Sequence, residues 1–133
     1  MHFVRFVPFL LLLLTQTLCA QTPSAVEQEK FVFLNNGTTI GMIVKAVLKA
    51  DQKNLALTEQ QVPKARQVIT NATVAYNEGV KLLKKSGMTK QKLRALALTV
   101  EADKVHNYKP LLTPEQYTKL VAQHKKIYPE IKL

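Results

Sequence analysis

Six basic residues crowd one short stretch: Lys81, Lys84, Lys85, Lys90, Lys92 and Arg94. No acidic residue lies between Gly79 and Val100. The chemistry open to such a run is electrostatic capture of an acidic protein segment or another anionic surface. Lys81, Lys84 and Lys85 fall near the end of a predicted helix, where the macrodipole favours cations. Lys90 and Lys92 fall in a first helical turn, where positive charge costs roughly a few tenths of a kcal/mol. A locally unfavourable choice beside like charges points to an acidic partner. The plainer reading is a solvated turn. Lys125 and Lys126 extend the patch on the first reading.

Residues suited to catalysis are sparse. His106 follows Asp103 by three positions, a spacing that suits a surface contact on one helix face. His124 sits on an apolar stripe and reads as a part-buried core residue. The nine carboxylates show no ligand spacing, so no metal site and no cofactor is expected. No phosphate-cradling glycine loop and no nucleophile elbow occurs. Asn36-Gly37-Thr38 and Asn71-Ala72-Thr73 match the glycosylation pattern by chance. The chain reads as a binding protein and not as an enzyme.

With 133 residues the chain has room for one domain. Residues 1–20 read as an export signal: Arg5, an apolar run, then Leu18-Cys19-Ala20 before a start at Gln21. Lipidation of Cys19 is the rival reading, and bulky Leu18 argues against it. Residues 21–37 form a lead-in with a short helix, and 38–133 form the helical domain. Beyond residue 20 there is no cysteine, so stability must come from helix packing, with a second subunit as a further source. Without Arg5 there are 18 basic and nine acidic residues, a net charge of +9. In an exported, periplasmic setting that charge attracts acidic clients or envelope lipid, and nucleic acid is excluded by location.

What positions these residues is a set of helices with legible starts. In Leu57-Thr58-Glu59-Gln60-Gln61-Val62, Thr58 suits an N-cap and Gln61 can reach back to it, a capping box flanked by a Leu57/Val62 staple. Leu112-Thr113-Pro114-Glu115-Gln116-Tyr117 repeats the arrangement, with Pro114 at the first helical position. Met88-Thr89-Lys90-Gln91-Lys92-Leu93 is a weaker copy. Helices are expected over 25–34, 39–55, 59–86, 90–108 and 114–128. Phe31–Leu34 reads equally as helix or strand. Pro63 predicts a kink or a late start for the third of these helices. Its inner stripe reads as Ala65, Val68 or Ile69, Ala72, Tyr76, Val80 and Leu83. Gly79 is a weak point, worth about 1 kcal/mol against Ala. The fold class is all-α, a small bundle or hairpin of four to five helices.

At its two Leu-Thr-x-x-Gln boxes, Leu57, Thr58 and Gln61, then Leu112, Thr113 and Gln116, the sequence resembles the Spy/CpxP group of periplasmic helical proteins. The likeness covers roughly 55–128. It implies a long-helix hairpin that pairs as a homodimer into a curved, basic cradle and holds partly folded clients without ATP. The expected function is that of an ATP-independent, chaperone-like or envelope stress-response protein for unfolded or acidic clients. The alternative is a structural protein bound to an anionic, lipid-bearing envelope surface. Short length, Pro63 and Phe31–Leu34 set this chain apart from the family pattern.

Overall fold

A computed structural model describes residues 24–133. The export-signal reading, Cys19 and the start at Gln21 lie outside the described residues. Among the described residues five α-helices form an all-α bundle: α1 (Ala25–Gln28), α2 (Ile40–Leu55), α3 (Val62–Ser86), α4 (Lys90–Tyr108) and α5 (Pro114–Ile127). A 3-10 turn, Lys109–Leu111, links α4 to α5. The α3–α4 hairpin is the spine. α2 packs on α3, α5 packs on α4, and α2 meets α5 where the hairpin opens.

The core sits at that open end. Ile40, Val44, Leu48 and Leu55 line the inner side of α2, at the i, i+4 spacing of an amphipathic helix. They meet Ala65 and Ile69 from the start of α3, Val105 and Tyr108 from the end of α4, and Leu120 from α5. Each Ile, Leu or Val among them contributes roughly 1.5–3 kcal/mol by burial. Tyr108 brings a hydroxyl into this core and donates it to Asp51 at 2.7 Å.

The first expected helix is much shorter than 25–34. Ser24 caps it, its hydroxyl accepting from Glu27 N, and it ends at Gln28. Residues beyond it form a strap, neither helix nor strand, held by one antiparallel bridge between Lys30 and Thr39. Phe31 N donates to Thr38 O at 2.7 Å, and Ile40 N donates to Glu29 O at 2.8 Å. The strap reverses through Asn35 and Gly37, both at positive φ, while Asn36 Oδ1 accepts from Thr38 N and Thr38 Oγ1.

The inner stripe of α3 also differs from expectation. Ala65, Ile69 and Val80 are buried, but the central positions are Thr73 and Asn77 in place of Ala72 and Tyr76. Each polar group has its partner. Thr73 Oγ1 donates to Ile69 O at 2.8 Å. Asn77 Oδ1 accepts from Val32 N at 2.9 Å, and its Nδ2 donates to Lys30 O at 3.1 Å. One buried amide thus clasps the strap on both sides of Phe31. Reading polar residues as outward-facing rotated the expected stripe by one position.

α3 starts late, at Val62, as Pro63 predicts. Its lost N–H falls among donors that a helix start leaves unpaired anyway. At Gly79, an added Cβ would lie 2.5 Å from Leu96 Cδ1, so the glycine lets the two long helices approach. The C-terminal tail is tied to α4 by the Arg94–Glu130 pair, and Ile131 beside it is buried.

Candidate functional site

The basic run falls at the closed end of the hairpin, around the turn Gly87–Thr89 that joins α3 to α4. Gly87, at φ 104°, ends α3. Thr89 then caps α4, its hydroxyl accepting from Lys92 N at 3.1 Å. The structure divides the six expected residues into two groups.

Four of them are engaged with the rest of the protein. Lys81 Nζ pairs with Glu78 at 2.9 Å and lies 3.9 Å from Glu29. Lys84 Nζ donates to Val32 O at 2.7 Å and so ties the strap to the hairpin. Lys92 Nζ donates to Gly87 O at 3.2 Å, which closes the turn. Arg94 makes a two-pronged bond to Glu130, at 2.6 and 3.1 Å, and lies 4.9 Å above the Tyr128 ring. The bond to Arg94 holds the exposed Glu130 carboxyl below the usual range. The acid-free interval in the sequence is thus met by Glu78 just before it, by Glu29 and Glu130 from other segments, and by the backbone carbonyls of Val32 and Gly87.

Lys85 and Lys90 remain exposed, with no hydrogen bond or ion pair among the described residues. Leu82 and Met88 are exposed beside them, at 66% and 43%. Phe33 and Leu34, at the tip of the strap, are 44% exposed. The tip therefore presents free cations interleaved with apolar side chains.

The repeated Thr-x-x-Gln boxes do more than start helices. Gln61 Oε1 accepts from Thr58 N at 3.0 Å, and Thr58 Oγ1 accepts from Gln61 N at 3.3 Å. The box closes on the turn that leads into α3 and not on the helix itself. Gln116 Oε1 accepts from Thr113 N at 3.0 Å, and Thr113 Oγ1 accepts from Gln116 N at 3.2 Å. Each Gln then reaches the other box. Gln61 Nε2 donates to Gln116 Oε1 at 2.8 Å and to Leu111 O at 3.0 Å. Gln116 Nε2 donates to Gln61 Oε1 at 3.0 Å and to Leu55 O at 3.1 Å. Two side-chain amides form a reciprocal pair, every donor filled, with the staple residues Leu57, Val62, Leu112 and Tyr117 packed on the core around them. Sequence reading found both boxes and missed their meeting. The signal was there in the repetition of Gln, whose amide hydrogens a capping box leaves unused.

His106 and Asp103 are exposed and make no bond to each other, so that pairing does not form. His124 is buried, as expected, and its Nε2 lies 2.8 Å from Glu101 Oε2 while its Nδ1 lies 3.0 Å from Leu120 O. Lys104 Nζ reaches the same Glu101 oxygen at 3.0 Å. Burial pushes the Glu101 carboxyl up, but His124 and Lys104 outweigh it and hold the group below its ordinary range. Among the described residues no group of three or more His, Cys, Asp or Glu could hold a metal, and no helix is long and apolar enough to cross a membrane.

No protein-family model, no curated protein and no solved structure matches the chain.

Proposed function

We propose that the protein is an exported, ATP-independent binding protein of the chaperone-like or envelope stress-response kind. It holds partly folded, acidic polypeptide segments on the tip of the α3–α4 hairpin. The observation that carries this reading is the tip itself. Lys85 and Lys90 are uncommitted, Leu82 and Met88 stand exposed beside them, and the neighbouring cations are held in place by Glu78, Glu130 and backbone carbonyls. Fixed neighbours keep the free ammonium groups apart from their own carboxylates. Exposed apolar side chains add contact that tolerates sequence variation.

A second reading, attachment to an anionic envelope surface, draws on a different feature. Lys45, Lys49 and Lys53 follow one another at four-residue steps on α2 and are exposed without an ion pair. Like charges at that spacing are mutually unfavourable by roughly 0.2–0.5 kcal/mol per pair.

The two readings separate on partner and on residue. The protein should suppress aggregation of an unrelated, acidic denatured protein without nucleotide, and Lys85→Gln/Lys90→Gln should weaken this while thermal stability holds. The parent should lose suppression steeply with added salt, and the variant less so. Suppression unchanged in the variant across the salt series would remove the tip from the mechanism. Sedimentation with anionic vesicles, lost in Lys45→Gln/Lys49→Gln/Lys53→Gln and joined to no suppression at all, would favour the second reading.

A further inference from the structure

A second feature has no part in the basic tip. Where α2 and α4 diverge across α3, the interior leaves a half-open cavity of about 120 Å³. Ile43 and Val47 form its α2 wall, Ala72, Thr73 and Tyr76 its α3 side, and Val100 with the Glu101–Lys104 ion pair its α4 side. Phe31, stacked on Tyr76 with ring centroids 6.0 Å apart, closes one end.

We propose that this cavity is a binding site for a small organic anion, an aromatic or short-chain carboxylate with a body of about benzene size. Size comes first. A dry apolar cavity of roughly 150 Å³ holds one benzene molecule, so a single ring or a short alkyl chain is the limit. Unfilled, the hollow leaves Ile43, Val47, Ala72 and Tyr76 only half buried, although all four converge on it. Lining atoms without neighbours forfeit dispersion contacts that a ligand would restore.

The polar end selects the head group. The Lys104 side chain is only 11% exposed, and its one partner is Glu101 at 3.0 Å. An ammonium has three donors and Glu101 takes one, so Lys104 keeps donors for a further acceptor at this end of the cavity. Glu101 Oε2 already accepts from Lys104 and faces His124 Nε2 at 2.8 Å, so the carboxylate does not claim the whole of Lys104. Thr73 Oγ1 points its proton at Ile69 O and takes no part. The tie between the local charges is broken by the net +9 of residues 21–133, which draws anions towards the molecule. Lys104 thus meets a carboxylate, and the apolar body lies between α2 and Tyr76.

The test is direct binding, independent of any client activity. With the Ile and Val methyl groups labelled, benzoate should shift the resonances of Ile43, Val47, Ile69 and Val100 saturably. It should bind about ten-fold more tightly than benzyl alcohol, as one charged hydrogen bond provides, and benzylamine should bind least. Lys104→Met keeps the Glu101–His124 contact and should bring benzoate and benzyl alcohol to near parity. Ala72→Leu, which fills the hollow, should abolish both. Val47→Phe does the same from the opposite wall, should the first variant fold poorly. No saturable shift at these methyls overturns the site. Equal binding of benzoate and benzyl alcohol in the parent, or a preference that survives Lys104→Met, overturns the assignment of the anion.

Discussion

Gln61 and Gln116 each turn their oxygen to their own backbone turn and give one amide hydrogen to the other Gln and one to a carbonyl just before the other box, Leu111 O and Leu55 O respectively. That double use gives a prediction of opposite sign to ordinary capping. In an isolated capping box, Glu serves at this position as well as Gln, and its charge suits a helix start. Here a carboxylate has no hydrogen to donate. Gln61→Glu should therefore destabilise by about 1–3 kcal/mol, since Leu111 O loses its donor and two acceptors face each other. Thr113→Ala, which removes only a local cap, should cost about 1 kcal/mol. Chemical denaturation ranking Gln61→Glu at or above the parent would reduce the pair to two unconnected caps. The boxes were legible because capping is local. Their contact was not, because it spans 55 positions and depends on how α3 and α5 meet.

Among the elements, the α3–α4 hairpin was legible in extent but not in rotation. Helix starts and stops are written by Pro63, Gly87, Thr89 and Pro110, and the observed bounds follow them, whereas Thr58 closes only the turn before α3. The buried side of α3 depends on Asn77, whose partners are strap peptide groups 45 and 47 residues away, beyond the reach of any periodicity. Gly79 belongs to the same class, since its helix cost is visible in sequence and its benefit is not. The benefit is close approach to Leu96. Gly79→Ala should therefore fail to gain the about 1 kcal/mol that helix propensity offers, because Leu96 must shift to admit the methyl. In a Leu96→Ala background the same change should stabilise by about that amount. A double-mutant cycle reads the difference. Full stabilisation by Gly79→Ala in the parent would mean that the close approach has no energetic weight.

At the scale of the molecule, the link between the spine and α5 is polar as well as apolar, and this sets its response to acid. Glu101 on α4 faces His124 on α5 at 2.8 Å and its own-helix neighbour Lys104 at 3.0 Å. Its pKa lies below the ordinary 4.5 in the fold, burial opposing and the two partners prevailing. A carboxyl whose folded pKa is depressed stabilises the fold fully above its unfolded pKa. That contribution fades as pH falls through the folded value. The sign is thus a loss on acidification, beginning near the ordinary carboxylate range, with α5 released from α4 first. Glu101→Gln should lower thermal stability at neutral pH and flatten the acid limb, so that parent and variant converge once the pH has fallen through the depressed folded pKa of Glu101. Glu130, exposed at the surface and paired to Arg94, should add little to that limb because solvent screens it. Melting curves between neutral and acid pH decide the matter. A constant gap between parent and Glu101→Gln would show that the residue acts through packing and not through its charge.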